Sequence, residues 1–295
     1  GQADNIAAFS ERYQLQNADL NHVAPSWLRT PVSFETYNAS FQKLLTHLKN
    51  EEIRLANLTF PTKIACNLTF PEIFARTKAK YRIFFKDHFC AFSPETFITI
   101  KAGVIATYPM KGTINAGIEN AEQRLLNDPK EIDEHETVAQ EAVADISLVA
   151  NDAKITKFRY VDRVHKGDGT ILQTSSIIEG TLPPHYLESL GDIIYKLLPA
   201  GSITGAPRAR ATQILAELEI YDRGFYSGVA GIFDGENLDS TVLIRYLERN
   251  DKDDTTHSNR PDQDYEDAKI LKESAEAEPL KMIPLSADEI LFRYT

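Results

Sequence analysis

Apolar residues recur at three- and four-residue intervals in one set of segments and gather into short β-branched or aromatic runs in another, so the chain predicts a mixture of helices and strands. Over residues 34–50, Phe41, Leu44, Leu45 and Leu48 share one stripe while His47 and Lys49 lie outside it, the pattern of an amphipathic helix with one buried face. Helical periodicity returns over 117–127, 133–149, 185–198 and 207–219. Residues 55–60, 81–85, 97–100, 104–107 and 158–161 are short, rich in β-branched or aromatic side chains and bounded by Gly, Pro, Asp and Lys, as strands are; 225–233 and 240–248 read the same way. Strands in clusters with helices between them predict an α+β fold with much antiparallel sheet. A chain of 295 residues can bury one large core, so a single domain over 1–295 is expected. Residues 250–267 are polar and acidic like a solvated loop, and the tail from Glu273 ends in an apolar stretch, Ile290-Leu-Phe-Arg-Tyr294, that the pattern does not place.

One junction stands out chemically. Gly201-Ser-Ile-Thr-Gly-Ala-Pro-Arg208 runs into the helical segment 207–219, where Ile214, Leu215 and Leu218 keep helical spacing. Pro207 suits a first turn, and Ser202 or Thr204 can cap amides that have no partner inside the helix. Backbone N–H groups at such a terminus attract a carboxylate or phosphate. The same spacing also occurs where a helix follows an ordinary tight turn, and the local sequence leaves both open.

Charge and composition narrow the function. With 43 acidic against 32 basic residues the net charge is −11, which disfavours binding to nucleic acid or an anionic membrane. An anionic substrate would therefore need a locally positive pocket. No 18-residue apolar run and no signal-peptide pattern occur, so a soluble, cytoplasmic protein is expected. Cys66 and Cys90 form neither a metal-ligand pattern nor a disulfide framework and read as small core thiols in a reducing compartment.

Five further motifs follow in order: Phe92-Ser-Pro-Glu95, Pro109-Met-Lys-Gly-Thr113, Glu134-His135, Arg223-Gly-Phe-Tyr-Ser-Gly228 and Asp239-Ser-Thr-Val-Leu-Ile-Arg245. With the Thr204-Gly-Ala-Pro207 element, these resemble the chorismate-utilising enzymes over about residues 36–248, nearest the aminodeoxychorismate synthase component I branch. The resemblance implies two β-sheets with flanking helices around a central cleft. It also implies amination of chorismate to 4-amino-4-deoxychorismate with Mg²⁺, using ammonia from a glutamine amidotransferase partner.

The resemblance assigns roles that elementary chemistry makes intelligible. Chorismate carries two carboxylates that a partly desolvated cleft must neutralise with fixed donors or cations. Arg245 and Tyr226 match the carboxylate-binding positions, and Thr204, Gly205 and Ala206 match the element near the ring, where the family has Lys after Pro and this chain has Arg208. Taken locally, Arg245 could equally snorkel to water and Tyr226 be a half-buried strand aromatic. Glu95 matches the general acid that helps the ring hydroxyl leave, although a Glu after Pro can also close a turn. Glu134 matches a Mg²⁺ ligand, on a helix acidic enough to be simply solvated, with Asp264 or Asp267 as the second acid. Lys111 matches the covalent nucleophile of the aminodeoxychorismate branch, where anthranilate synthases carry a small residue, and must lose its proton to attack. Leu55 stands where isochorismate and salicylate synthases carry a water-activating lysine, and an aliphatic side chain cannot deprotonate water.

The chain also departs from the family. Ala139-Gln-Glu-Ala-Val-Ala-Asp145 keeps only the last acid of the usual Val-Asp-x-x-Arg-Asn-Asp, and Gln173 replaces a histidine. The glycine loop expected after Arg245 is absent, with Lys252-Asp-Asp254 in its place, and Asp264-Tyr-Glu-Asp267 echoes the Glu-Tyr-x-Glu metal element with shorter side chains. Anthranilate synthase component I and a chorismate-binding scaffold that has lost turnover are the alternatives.

Overall fold

The first helix shows how local sequence sets its own boundaries. In the computed structural model, which describes residues 24–86, 88–166 and 169–249 and the strand 269–276, α1 (Phe34–Lys49) begins where the Ser33 hydroxyl accepts from the Thr36 N–H at 3.2 Å. Glu35 stands at its positive end and His47 and Lys49 at its negative end. Its buried Leu44 joins Ile53, Leu58, Ile214 and Leu218 in one apolar cluster. The next helix, α2 (Phe70–Arg76), starts with a reciprocal capping box between Thr69 and Glu72.

Two seven-stranded sheets carry the fold among the described residues. In the first the order is β1 (Trp27–Thr30), β2 (Leu55–Cys66), β14 (Lys269–Glu276), β13 (Tyr246–Arg249), β4 (Phe89–Ala91) and β3 (Ile83–Phe85), and the two-residue β10 (Gly205–Ala206) also pairs with β2. In the second it is β11 (Val229–Phe233), β12 (Leu238–Val242), β5 (Thr96–Lys101), β6 (Val104–Thr107), β9 (Gly169–Thr181) and β7 (Met110–Asn115), with β8 (Asn151–Lys166) also on β9. All pairings are antiparallel. The long helix α4 (Pro129–Ser147), which follows α3 (Ala121–Asn127), is capped by Asp128, whose side chain accepts from the N–H groups of Lys130 and Glu131. It buries His135, Ala139 and Ile146, a stripe of period four and seven. The α+β architecture is therefore as the pattern predicts.

Among the described strands the chain passes between the sheets four times, at β4–β5, β9–β10, β10–β11 and β12–β13, and two of these crossings are short, 92–95 between β4 and β5 and 243–245 between β12 and β13. The short crossings run side by side, since the Phe92 N–H donates to the Arg245 carbonyl at 3.2 Å and the Thr241 hydroxyl donates to the Glu95 carbonyl at 2.6 Å. Glu95 and Arg245 thus sit on adjacent inter-sheet connections.

Several expected boundaries change. The strand expected over 240–248 is two strands in different sheets, broken where Arg245 takes φ +52°. The strand expected over 225–233 begins only at Val229, because Tyr226 and Ser227 form a turn in which the Tyr226 N–H donates to the Arg223 carbonyl and Ser227 takes φ +64°. Residues 185–198 divide into a 3₁₀ turn, Tyr186–Ser189, and α5 (Leu190–Lys196). The short run expected at 158–161 is the middle of β8, one arm of a long hairpin with β9 that buries the polar Arg159, Thr174 and Ser176. Cys90 is buried and Cys66 half-buried, both as free thiols. The loop expected over 250–267 and most of the tail from Glu273 lie outside the described residues. Among those described, no helix is long and apolar enough to cross a membrane.

Candidate active site

Glu95 closes the first crossing. Its N–H donates to the Ser93 hydroxyl at 3.1 Å, which fixes the Ser-Pro-Glu turn, and its carboxylate Oε1 accepts from the Ser202 hydroxyl at 2.6 Å. Asn57 on β2 holds the Ser202 segment in turn, its Nδ2 donating to the Ser202 carbonyl at 2.7 Å. Glu95 opens on a cavity of about 90 Å³ whose wall includes Leu55, Tyr108, Val138, Asp145, Gly205 and Ala206. An aliphatic Leu55 in that wall leaves no base at that point to activate water.

The glycine-rich junction is built differently from a capped loop. Residues Gly201–Thr204 make a short helical turn, α6, and Gly205–Ala206 pair with Ala56 and Leu55 of β2 before α7 (Arg208–Leu218) begins. Gly205 has φ +136°, and a Cβ there would lie 2.1 Å from the Leu55 carbonyl oxygen, so only glycine fits. The expected caps do not form: Ser202 is spent on Glu95, and the buried Thr204 hydroxyl donates to the Ala200 carbonyl at 2.9 Å. Gly205 and Ala206 reach the cavity, whereas Thr204 is turned into its own helical turn. Arg208, at the positive end of α7 and in the cavity wall, donates to the carbonyls of Leu197 and Lys196 at 2.7 and 2.9 Å, which closes the C-terminal end of α5. It also pairs with Asp145 at 3.4 Å, opposing the burial that raises the Asp145 pKa.

Lys111 lies on a β-bulge. Met110 pairs with Ser175 and Thr113 with Gln173, so Lys111 and Gly112 together oppose Thr174 alone. Gly112 takes φ +88°, and a Cβ on it would lie 2.6 Å from Glu131 Oε2. The bulge carries the mostly buried Lys111 to α4, with Nζ 3.7 Å from Glu134 Oε2 while Lys130 lies 3.4 Å from the other oxygen. Burial, and then the Glu134 carboxylate, raise the pKa of Glu131 one turn earlier, against the pull of Lys111 and Lys130. Beside them the buried His135 contacts the Lys111 carbonyl through Nδ1 at 3.2 Å and the Ser176 hydroxyl through Nε2 at 2.7 Å. Burial foremost lowers its pKa, against the Lys111 carbonyl, which raises it, and with the Arg159 guanidinium, which lowers it.

Tyr226 and Arg245 lie outside the wall of the Glu95 cavity. The Tyr226 ring is 2% exposed, 6.0 Å from the Tyr246 ring and 5.8 Å from the Arg223 guanidinium, and belongs to the main apolar core. Arg245 is largely buried, and that burial lowers its pKa. Neither residue, nor Lys111 and Glu134, belongs to the wall of the Glu95 cavity. A buried network that sequence reasoning missed lies behind these residues: Glu219 accepts from Arg223 Nε and Nη2 at 2.7 and 2.6 Å and from the Thr59 N–H and hydroxyl at 3.0 and 2.8 Å. Arg223 Nη2 also donates to the Asn57 carbonyl at 2.8 Å, so the ion pair supports the strand that holds Ser202 and Glu95. The i, i+4 spacing of Glu219 and Arg223 was the available signal.

For a hard cation such as Mg²⁺ the chemistry requires several oxygen ligands. Glu134 supplies carboxylate oxygens, but no group of three or more metal-ligating side chains occurs among the described residues. Asp264 and Asp267 lie outside them. The described residues therefore do not by themselves complete a magnesium site.

A sequence profile described as chorismate binding enzyme matches residues 4–257. An uncharacterized PabA-like protein of Haemophilus influenzae is 43% identical over 233 residues, which cover 79% of this chain and 71% of that protein. Anthranilate synthase component 1 of Aeropyrum pernix is 33% identical over 160 residues, 52% of this chain and 35% of that one. Among solved structures, anthranilate synthase component I of Streptococcus pneumoniae superposes with a TM-score of 0.69 at 19% identity, over 93% of this chain. This chain spans 60% of the length of that one, and the two share a fold.

Proposed function

Because the chain belongs to the chorismate-binding enzyme family, we propose that it is an aminodeoxychorismate synthase component, aminating chorismate to 4-amino-4-deoxychorismate with ammonia from a glutamine amidotransferase partner. The observation that carries this reading is Lys111, presented by a bulge against Glu134 in a mostly buried position. A lysine amine there can act as a nucleophile once it has given up its proton. Leu55 in the cavity wall supports amination over hydration, since it offers no base for water.

In this reading the neutral Lys111 amine adds to the chorismate ring, and the departing ring hydroxyl takes a proton from Glu95 and leaves as water. The ammonium so formed on Lys111 returns a proton to Glu95; ammonia then adds to the ring as the lysine amine leaves with that proton, and the new ring ammonium reprotonates Glu95, which restores both residues. Ser202 holds the Glu95 carboxyl in place by donating to its Oε1. Arg245 and Tyr226 are assigned to a substrate carboxylate, with Gly205 and Ala206 packing near the ring. Glu134 is the described residue assigned to Mg²⁺, with Asp264 or Asp267 completing the set, and the ion would offset carboxylate charge.

Anthranilate synthase component I is the competing reading, favoured by the shared fold and the Aeropyrum relative. Incubation with chorismate, Mg²⁺ and ammonium separates the two by product. The expected product has the mass of 4-amino-4-deoxychorismate and is converted by the matching lyase to para-aminobenzoate. Anthranilate as product would refute the proposal, and so would full activity of Lys111→Ala.

A further inference from the structure

The carbonyl of the bulged Lys111 is gripped from two sides. His135 Nδ1 lies 3.2 Å from it, and the Thr174 hydroxyl donates to it as well. A carbonyl only accepts and the Thr174 hydroxyl lies farther from Nδ1, at 3.4 Å, so the shorter contact favours a His135 proton on Nδ1. The groups behind the ring fit the same tautomer. The Arg159 backbone N–H donates to the Ser176 hydroxyl oxygen at 3.0 Å, and with the imidazole proton on Nδ1 the Ser176 hydroxyl donates to His135 Nε2 at 2.7 Å. Arg159 reaches this position with φ +47°, its guanidinium anchored to the carbonyls of Leu125 and Leu126 at the C-terminal end of α3. His135, Thr174 and Ser176 are each at most 1% exposed, so water does not compete for these bonds.

We propose that His135, held as the Nδ1–H tautomer by Ser176, is a positioning residue for Lys111: it fixes the bulge so that the lysine side chain is aimed at the reacting centre. This deepens the preceding proposal and rests on Lys111 as the nucleophile. A bulge relaxed by one broken bond can rotate the Lys111 peptide and swing the amine away, which slows attack without touching the groups that bind substrate.

The test uses two substitutions of similar packing cost. In His135→Asn the side-chain amide falls where Nδ1–H stood and keeps the bond to the Lys111 carbonyl. In His135→Gln it falls near the position of Nε2 and loses that bond. Full-length protein is mixed with chorismate without ammonia, and the Lys111 adduct is followed by intact and peptide mass, with chorismate affinity measured by titration. Adduct formation in His135→Gln should slow at least about tenfold with affinity within about twofold, while His135→Asn stays within about threefold of wild type. Equal rates in the two variants, or a loss confined to affinity, would overturn the positioning role. If either variant fails to fold, Thr174→Val, which removes the second donor, should slow the adduct several-fold, and an unchanged rate overturns the proposal. Long-range proton–nitrogen spectra of the ligand-free protein give an independent result, because the Nε2–H pattern for His135 also overturns it. Absence of any adduct in wild type together with full activity of Lys111→Ala is a different failure: it removes Lys111 as nucleophile, and this inference with it.

Discussion

Replacing Glu219 with Gln removes one charge from a pair that has little access to water. The Glu219 side chain is 4% exposed and the Arg223 side chain 15%, and the carboxylate takes four hydrogen bonds of 2.6 to 3.0 Å from Arg223 and Thr59. Glutamine fits the volume, but its NH₂ must face either the Thr59 donors or the guanidinium, and Arg223 is left as a buried cation. Breaking a buried pair from one side costs about 3–5 kcal/mol, and the surviving amide oxygen places this change near the lower end. At roughly 2–4 °C per kcal/mol for a chain of this size, the unfolding midpoint should fall by roughly 6–12 °C. Calorimetry or thermal circular dichroism measures it. Adding Arg223→Met should recover part of the loss, because no uncompensated charge then remains buried. Since Arg223 also holds the Asn57 carbonyl, and Asn57 holds the segment carrying Ser202, turnover should fall further than affinity for chorismate. A midpoint within about 2 °C of wild type would refute the reasoning, because it would mean that the ion pair contributes no more than a solvated one.

Gly205→Ala should destabilise by roughly 3 kcal/mol in urea titration, since its Cβ would lie 2.1 Å from the Leu55 carbonyl oxygen at a φ of +136°; an unchanged midpoint would show that β10 can part from β2 freely. Glu131 has a folded pKa raised by burial, so the stability it contributes is full below its ordinary value of 4.5 and is lost as pH rises through the folded pKa. Glu131→Gln should therefore melt higher than wild type at pH 7, with the gap closing below pH 4.5, and a lower melting point at pH 7 would contradict this sign. Arg245→Ala should weaken chorismate binding by about 2 kcal/mol or more in isothermal titration; unchanged affinity would make Arg245 a structural residue of the sheet crossing.

Where one element's own residues decide its state, the sequence carried the answer. The 34–50 helix was legible because one apolar stripe suffices to define it, and the strand at 104–107 because an apolar β-branched run between turn residues does the same. Lys111-Gly112 and Glu134-His135 were legible as motifs, but not that a bulge joins them, since a bulge is a property of pairing with Thr174 on a strand some 60 residues away. The break at 243–245 was hidden for the same reason: Leu243 and Ile244 look like strand residues, and only the presence of two sheets obliges the chain to leave one for the other there. Ser202 and Thr204 were read as helix caps because hydroxyls before a helix usually are, yet tertiary packing offered Ser202 the Glu95 carboxylate and Thr204 the Ala200 carbonyl. Residue types thus set which chemistry was available, namely a lysine, two acids and an arginine. Long-range pairing decided which of them meet, because that depends on contacts whose partners are far apart in the chain.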